Sequence, residues 1–158
     1  MGFQFAKMNK DYAEEMAYQW KYEGMYKFYD MTADKDDLKE FLDSNNWEYK
    51  FAVLNQEEEL VGFFSYNFQD EIMWIGFGLK PEYTGKSLGY NFVQSGIEFG
   101  LEEYKYKKDY IMLAVAEFNK RAIKLYEKLG FNTTEKYMQE TNGGEYKFLK
   151  MKKRLKSY

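Results

Sequence analysis

The chain has no cysteine, no histidine and a single proline, Pro81, in 158 residues. Lack of cysteine excludes disulfides, thiolate metal sites and a Cys nucleophile. Lack of histidine removes the commonest general base and the commonest metal ligand. A Ser-His-Asp triad and a zinc hydrolase are therefore excluded on inventory alone, and no metal is expected. Any catalysis must use carboxylates, Tyr, Ser, Lys, backbone amides or a bound coenzyme. No run of about 18 or more uncharged apolar residues exists, so no transmembrane helix and no membrane partner are expected. The start, MGFQFAKMNKDYAEE, lacks a basic segment followed by an apolar core and a cleavage site. No secretory signal is expected from it, and a cytoplasmic location is. An excess of one charge is missing too: 23 basic residues stand against 26 acidic ones, a net −3. That near-balance gives no electrostatic reason to expect nucleic acid. The length suits one domain, 1–158, with a sizeable core.

Aromatics are abundant instead, 21% of the chain, and 16 of them are Tyr. Tyr has an apolar body and a polar tip, so many of these side chains can be half-buried. Periodicity predicts a strand at 3–8 on a sheet edge, a helix at 11–22 and a second helix at 34–42. Asp34 or Thr32 caps the second helix, and Leu38, Phe41 and Leu42 face inward. Strands follow at 49–54, 60–68 and 72–79, joined by the charged NQEEE connection and a turn at Gln69–Asp70. This reads as an antiparallel meander. The period then changes to helical over 87–104, returns to a short apolar strand at 110–115, and becomes helical again at 119–129. Strands 72–79 and 110–115 flank a helix, so a right-handed crossover would make them parallel neighbours. Two strands, 134–139 and 145–152, close the chain around TNGG, a strong hairpin turn. The Lys-rich end reads as an edge strand protected by its lysines.

Two segments carry chemistry. The first is VAEFNKRAIKLYEKLGF, Val115–Phe131. Asn119 stands at a helix start and Gly130 at its end. Asn119, Ala122 and Tyr126 share one face at i, i+3 and i+7. Tyr126 thus brings a hydroxyl to a position usually filled by a plain apolar residue. The second is LKPEYTGKSLG, Leu79–Gly89, between a strand and a helix. Pro81 ends the strand because it has no N–H to donate. The glycines let the backbone curl, and the first helical turn leaves N–H groups that can hold a phosphate, with Lys86 adding charge. It matches neither the P-loop nor the dinucleotide fingerprint. On its own, an ordinary Gly-containing turn explains it equally well.

Taken together, the two segments resemble the paired motifs of the GNAT N-acetyltransferases. LKPEYTGKSLG is similar to their acetyl-CoA signature, x-P-x-[YF]-[RQ]-x-x-G-x-[GA] after a strand end. NKRAIKLYEKLGF is similar to their N-x-x-A-x-x-x-Y-x-x-x-G-F. The motifs come in the family's order with one strand between them, and the likeness extends over essentially the whole chain. It implies an α/β fold with a mixed, mainly antiparallel sheet of about six to seven strands and about four flanking helices. It also implies acetyl-CoA as cosubstrate and a primary amine, on a small molecule or a peptide, as acceptor. By the same resemblance, a monomer or homodimer is expected. By the resemblance, backbone amides of Thr84, Gly85, Lys86, Ser87, Leu88 and Gly89 cradle the pyrophosphate. The backbone of Phe77, Gly78 and Leu79 pairs with the pantetheine arm as a short strand would. Asn119 bonds the pantetheine and Tyr126 faces the sulfur. Thr84 and Ser87 depart from the family pattern, where Arg or Gln and Gly stand; both keep an N–H and add a hydroxyl.

The reaction implied is direct attack of a neutral amine on the thioester. A backbone N–H at Gly78 or Leu79 would stabilise the oxyanion, and Tyr126 would protonate the leaving thiolate. The base that one branch of the family carries in the strand before the Asn helix corresponds to Ala114 here. Asp70, Glu71 and Glu117 read as surface carboxylates, so no base is assigned. The stretch WKYEGMYKFYDMT is expected to wall the acceptor pocket, with Trp20, Tyr22, Tyr26, Phe28 and Tyr29 offering aromatic faces to a cation and Glu23 and Asp30 adding negative charge. Plain helix packing with an aromatic loop reads equally well for this stretch. Two other functions fit the same residues: a module that binds acyl-CoA with little catalysis, and an interaction protein that keeps only the fold.

Overall fold

The computed structural model of the chain describes residues 2–84 and 88–155. Seven strands and four α-helices are formed among these residues. The strands are β1 (Gln4–Lys7), β2 (Lys50–Leu54), β3 (Leu60–Gln69), β4 (Ile72–Leu79), β5 (Tyr110–Ala116), β6 (Phe131–Thr141) and β7 (Gly144–Arg154). The helices are α1 (Lys10–Gln19), α2 (Lys35–Leu42), α3 (Gly89–Glu103) and α4 (Lys120–Lys128). The sheet order is β1-β2-β3-β4-β5-β7-β6. The chain divides into two compact units, one from Met1–Ser65 with Phe77–Leu88, the other from Tyr66–Gly76 with Gly89–Tyr158.

The first unit is built on caps and one apolar cluster. Asn9 caps α1 by accepting from the Tyr12 amide at 2.8 Å. Asp34 caps α2 by accepting from the amides of Asp36 and Asp37, and both of those acids lie in the first turn, where the helix dipole favours them. The helices bury Ala13, Met16, Trp20 and Phe41 with Ala52 and Leu60. Each large side chain removed from water there contributes about 1.5–3 kcal/mol. Leu38 and Leu42 pack against this cluster half-buried. β1 pairs antiparallel with β2, and β2 with β3. β1 lies at the sheet edge, as its sequence suggested.

The second unit holds the parallel step. β4 and β5 pair parallel, with Trp74 opposite Met112. The turn into β4 lies one residue later than expected: Asp70 and Glu71 both take left-handed conformations, at φ 52° and 68°. Two such residues in succession match the twist of a tight hairpin. Asn142 and Gly143 do the same at φ 51° and 76° in the TNGG turn.

The Lys-rich end needs a correction. β7 is not an edge strand; it lies between β5 and β6, and β6 takes the edge. The ladder from Tyr110↔Arg154 to Ala116↔Phe148 fills one side of it and the β6 hairpin the other. Two of these lysines are tolerated inside the sheet because their ammonium groups lie over aromatic faces. Lys150 Nζ is 5.9 Å from the Trp74 ring centre and 5.4 Å from that of Tyr137. Lys152 Nζ is 4.1 Å from that of Tyr110.

Candidate active site

In the second unit, β5 hands the chain to α4 through Glu117 and Phe118. Asn119 ends that turn and starts the helix. Its amide donates to the Ala116 carbonyl at 3.0 Å, and its side-chain Oδ1 accepts from the Ala122 amide at 3.2 Å. Asn119 is thus the N-cap, which fixes its side chain at the mouth of the helix. Tyr126 follows two turns later, about 10.5 Å along the axis at the usual helical rise. It is buried, and its ring stands edge-on to Phe131 at 6.1 Å. The far end is tied as firmly: Gly130 takes φ 100°, which a side chain would disfavour, and Lys153 Nζ donates to the Leu129 carbonyl. With both ends held, the spacing from Asn119 to Tyr126 is rigid.

α3 starts at Gly89, close to this helix. A Cβ at Gly89 would lie 2.9 Å from Leu125 Cδ2, so the family's small residue here serves close approach of α3 to α4. Further along, the Tyr66 hydroxyl donates to the Gly96 carbonyl at 2.6 Å. Gly100 leaves room for the Tyr66 ring, which a Cβ would approach to 2.4 Å.

In the first unit, β4 ends at Leu79 against the stretch after α1. The Lys80 amide donates to the Val61 carbonyl of β3 at 2.8 Å. In a trans peptide the C=O and N–H point opposite ways, so the Leu79 carbonyl faces the side of β4 turned away from β3. There it accepts from the Tyr22 hydroxyl at 2.7 Å. Along an extended strand the N–H of a residue points with its own C=O. The Leu79 amide therefore faces that same side, and the Gly78 amide faces β3. Of the two oxyanion donors expected, the geometry favours Leu79.

Tyr22 is itself held. Its amide donates to Asp30 Oδ1 at 2.8 Å. Burial, and then the Asp30 charge, push its phenol well above the ordinary tyrosine value, so it stays a donor across neutral pH. Lys21 Nζ donates to the Thr32 hydroxyl at 2.6 Å. These two bonds close the Gly24–Tyr29 excursion, a 3-10 turn on which Phe28 and Tyr29 meet edge-on at 5.2 Å. Tyr26 and Phe28 are half-buried there, and Tyr29 is exposed. Trp20 is placed differently: only 3% exposed, it packs in the core, with its Nε1 donating to Glu15 at 3.3 Å.

Just past β4, Lys80 pairs with Glu82 at 3.1 Å and Glu15 at 3.8 Å. The Glu82 hydrogen bond holds the ammonium above the ordinary lysine value. Thr84 donates both its amide, at 3.1 Å, and its hydroxyl, at 2.6 Å, to the Pro81 carbonyl. Its donors therefore close the turn. Gly85, Lys86 and Ser87 lie outside the described residues; Leu88 is half-buried ahead of α3.

Of the three carboxylates near these strands, Glu71 and Glu117 carry ion pairs. Glu71, in the β3–β4 turn beside Asp70, pairs with Lys108 at 3.7 Å. Glu117 pairs with Lys136 at 3.4 Å. Ala114 is exposed on β5. Among the described residues no group of three or more Asp or Glu is set to hold a metal, and no helix is long and apolar enough to cross a membrane. Sequence reasoning missed the links from Tyr22 to Leu79 and from Glu15 to Lys80. Each joins groups far apart in the chain, and no local spacing signals them.

Known proteins share this fold. Over 98% of this chain and 96% of the other, the fold matches a chimera of the Vibrio cholerae spermidine N-acetyltransferase SpeG with hSSAT, at TM-score 0.77 and 17% identity. It also matches a GNAT-family acetyltransferase from Bacillus anthracis over 95% and 93% of the two chains, at TM-score 0.68 and 17% identity. These likenesses define the fold class. The sequence profile of the acetyltransferase (GNAT) family matches residues 5–131, and the chain belongs to that family. Among curated proteins, the spermine/spermidine N(1)-acetyltransferase of Bacillus subtilis is 35% identical over 92 residues. That match covers 52% of this chain and 59% of the relative.

Proposed function

We propose that this chain is an acetyl-CoA-dependent N-acetyltransferase whose acceptor is a primary amine of a polyamine. The observation that carries the reading is α4, capped by Asn119 and burying Tyr126 two turns on, in a chain of the GNAT family. The acceptor class rests on the likeness to the Bacillus subtilis enzyme. The Gly24–Tyr29 excursion supports it, since aromatic faces beside Glu23 and Asp30 suit a chain of ammonium groups.

In this reading a neutral amine nitrogen attacks the acetyl carbon. The C–N bond forms and the carbonyl oxygen takes up negative charge, which the Leu79 amide stabilises. The C–S bond then breaks, the sulfur takes a proton from the Tyr126 hydroxyl, the amine's extra proton leaves to solvent, and solvent returns a proton to the Tyr126 phenolate. Tyrosine, with an ordinary pKa of about 10, suits a thiol leaving group. Asn119 and the Phe77–Leu79 backbone hold the pantetheine arm. The glycine at position 89 suits close passage of the pyrophosphate, with Gly85 to Leu88 as further donors.

A second reading, an acyl-CoA-binding module with little turnover, draws on one observation: both Thr84 donors are spent on Pro81. An amine panel read by thiol release separates the two. Spermine and spermidine should turn over faster than a peptide N-terminus, a lysine peptide or an aminoglycoside. Saturable acetyl-CoA binding without thiol release from any amine would favour the binding module.

A further inference from the structure

We propose that Tyr22 is a positioning residue that fixes the end of β4 at Leu79, whose N–H stabilises the oxyanion, with Asp30 as its anchor. The inference rests on reading Leu79 as that donor.

The peptide between Leu79 and Lys80 is gripped from both sides. Its N–H is bound by the Val61 carbonyl at 2.8 Å. Its C=O is bound by the Tyr22 hydroxyl at 2.7 Å, across 57 residues of sequence. A strand end beside a 3-10 turn (Pro81–Tyr83) would otherwise be free to tilt. The Leu79 N–H belongs to the preceding peptide and shares its α-carbon with the clamped carbonyl. Displacement of the clamped peptide would move that α-carbon, and with it the Leu79 N–H. A donor that stabilises charge forming in a transition state must be aimed before the reaction.

Tyr22 is suited to the task. It is half-buried, its phenol is held protonated, and its backbone is tied to Asp30, which also closes the acceptor excursion. One side chain thereby links the wall expected to meet the amine with the strand expected to meet the thioester. Both ends of the link lie in the first unit.

The test uses Tyr22→Phe, Asp30→Ala and Asp30→Asn in the full chain, with acetyl-CoA and spermidine. Tyr22→Phe should lower kcat about tenfold, because small misplacement of a catalytic group is costly. The KM for acetyl-CoA should move less than about threefold, because uniform binding is retained. Asp30→Ala should do the same. Asp30→Asn keeps an acceptor oxygen for the Tyr22 amide, so its kcat at saturating spermidine should fall less than that of Asp30→Ala, while loss of the charge raises its KM for spermidine. Tyr22→Phe with Asp30→Ala should be no worse than either alone, since both act through one bond. Equal loss in Asp30→Asn and Asp30→Ala, or additive losses in the double variant, would overturn the link.

Hydrogen exchange of the Lys80 amide gives a readout independent of turnover. Removing the Tyr22 hydroxyl should speed it about fivefold while amides in β1 keep their rates. If the parent chain transfers no acetyl group, the proposed function fails, and Lys80 exchange still decides whether Tyr22 clamps the peptide. Unchanged Lys80 exchange overturns the clamp. Faster exchange with unchanged kcat overturns its link to the chemistry.

Discussion

The α4 region and the end of β4 solve the same problem, aiming polar groups, by different means. Asn119 and Tyr126 are aimed by helical spacing, an N-cap and a glycine stop, all within twelve residues of sequence. The Leu79 peptide is aimed by Val61 on one side and Tyr22 on the other, both far away in the chain. A site built from local rules can be read from sequence. A site built from long-range hydrogen bonds emerges only once the strands are laid down.

The largest expected effect sharpens the α4 side. Tyr126→Phe should lower turnover at least about a hundredfold, within the range general acids supply, with coenzyme binding nearly intact. Parent-like kcat would remove Tyr126 from the mechanism.

Two glycines, one on α3 and one at the end of β4, should disturb packing when replaced. A Cβ at Gly100 would meet the Tyr66 ring at 2.4 Å, and one at Gly78 would meet the Phe63 ring at 2.4 Å. Gly100→Ala and Gly78→Ala should each cost about 1–3 kcal/mol, as overpacking does. Thermal unfolding checks both. Gly78→Ala alone should also lower kcat/KM by more than its stability loss explains, because it lies beside the gripped peptide. Equal activity in the two variants would erase that difference.

Asn119 separates fold from chemistry on the α4 side. Asn119→Ala should lose about 1 kcal/mol of stability with the cap. Asn119→Asp keeps the cap oxygen and should hold stability within about 0.5 kcal/mol, while raising the KM for acetyl-CoA if the amide serves the pantetheine. Urea unfolding and initial rates read the two effects apart.

The smallest effect is alkaline. Burial raises the native phenols of Tyr66 and Tyr22 above the ordinary 10.0. The unfolded chain loses those protons first, so their stability is fully present below pH 10.0 and is lost as pH rises above it. Tyr66→Phe should flatten part of that fall in a Tm-against-pH series. An unchanged slope would show that Tyr66 does not contribute to it.

These contrasts explain what the sequence made legible. The parallel step from β4 to β5 followed from the change of period around α3. Asp34 as a cap and Asn142-Gly143 as a turn followed from local backbone chemistry. β7 was misplaced because a lysine-rich strand looks like an edge from charge alone; the rings of Trp74, Tyr137 and Tyr110 that carry its lysines come from other strands. Within the acceptor stretch, composition marked the aromatics but not their tasks. Trp20 packs in the core, Tyr22 bonds the Leu79 carbonyl, and Tyr26 and Phe28 are half-buried on the excursion.

Transfer of an acetyl group to a polyamine is the proposed reaction. Its most direct measurement incubates the purified chain with acetyl-CoA and spermidine and follows coenzyme A and N-acetylspermidine together. The account predicts one thiol released for each amide formed, with release dependent on the amine. Coenzyme A release that does not depend on spermidine, or none at all from protein that acetyl-CoA stabilises against heat, would contradict it.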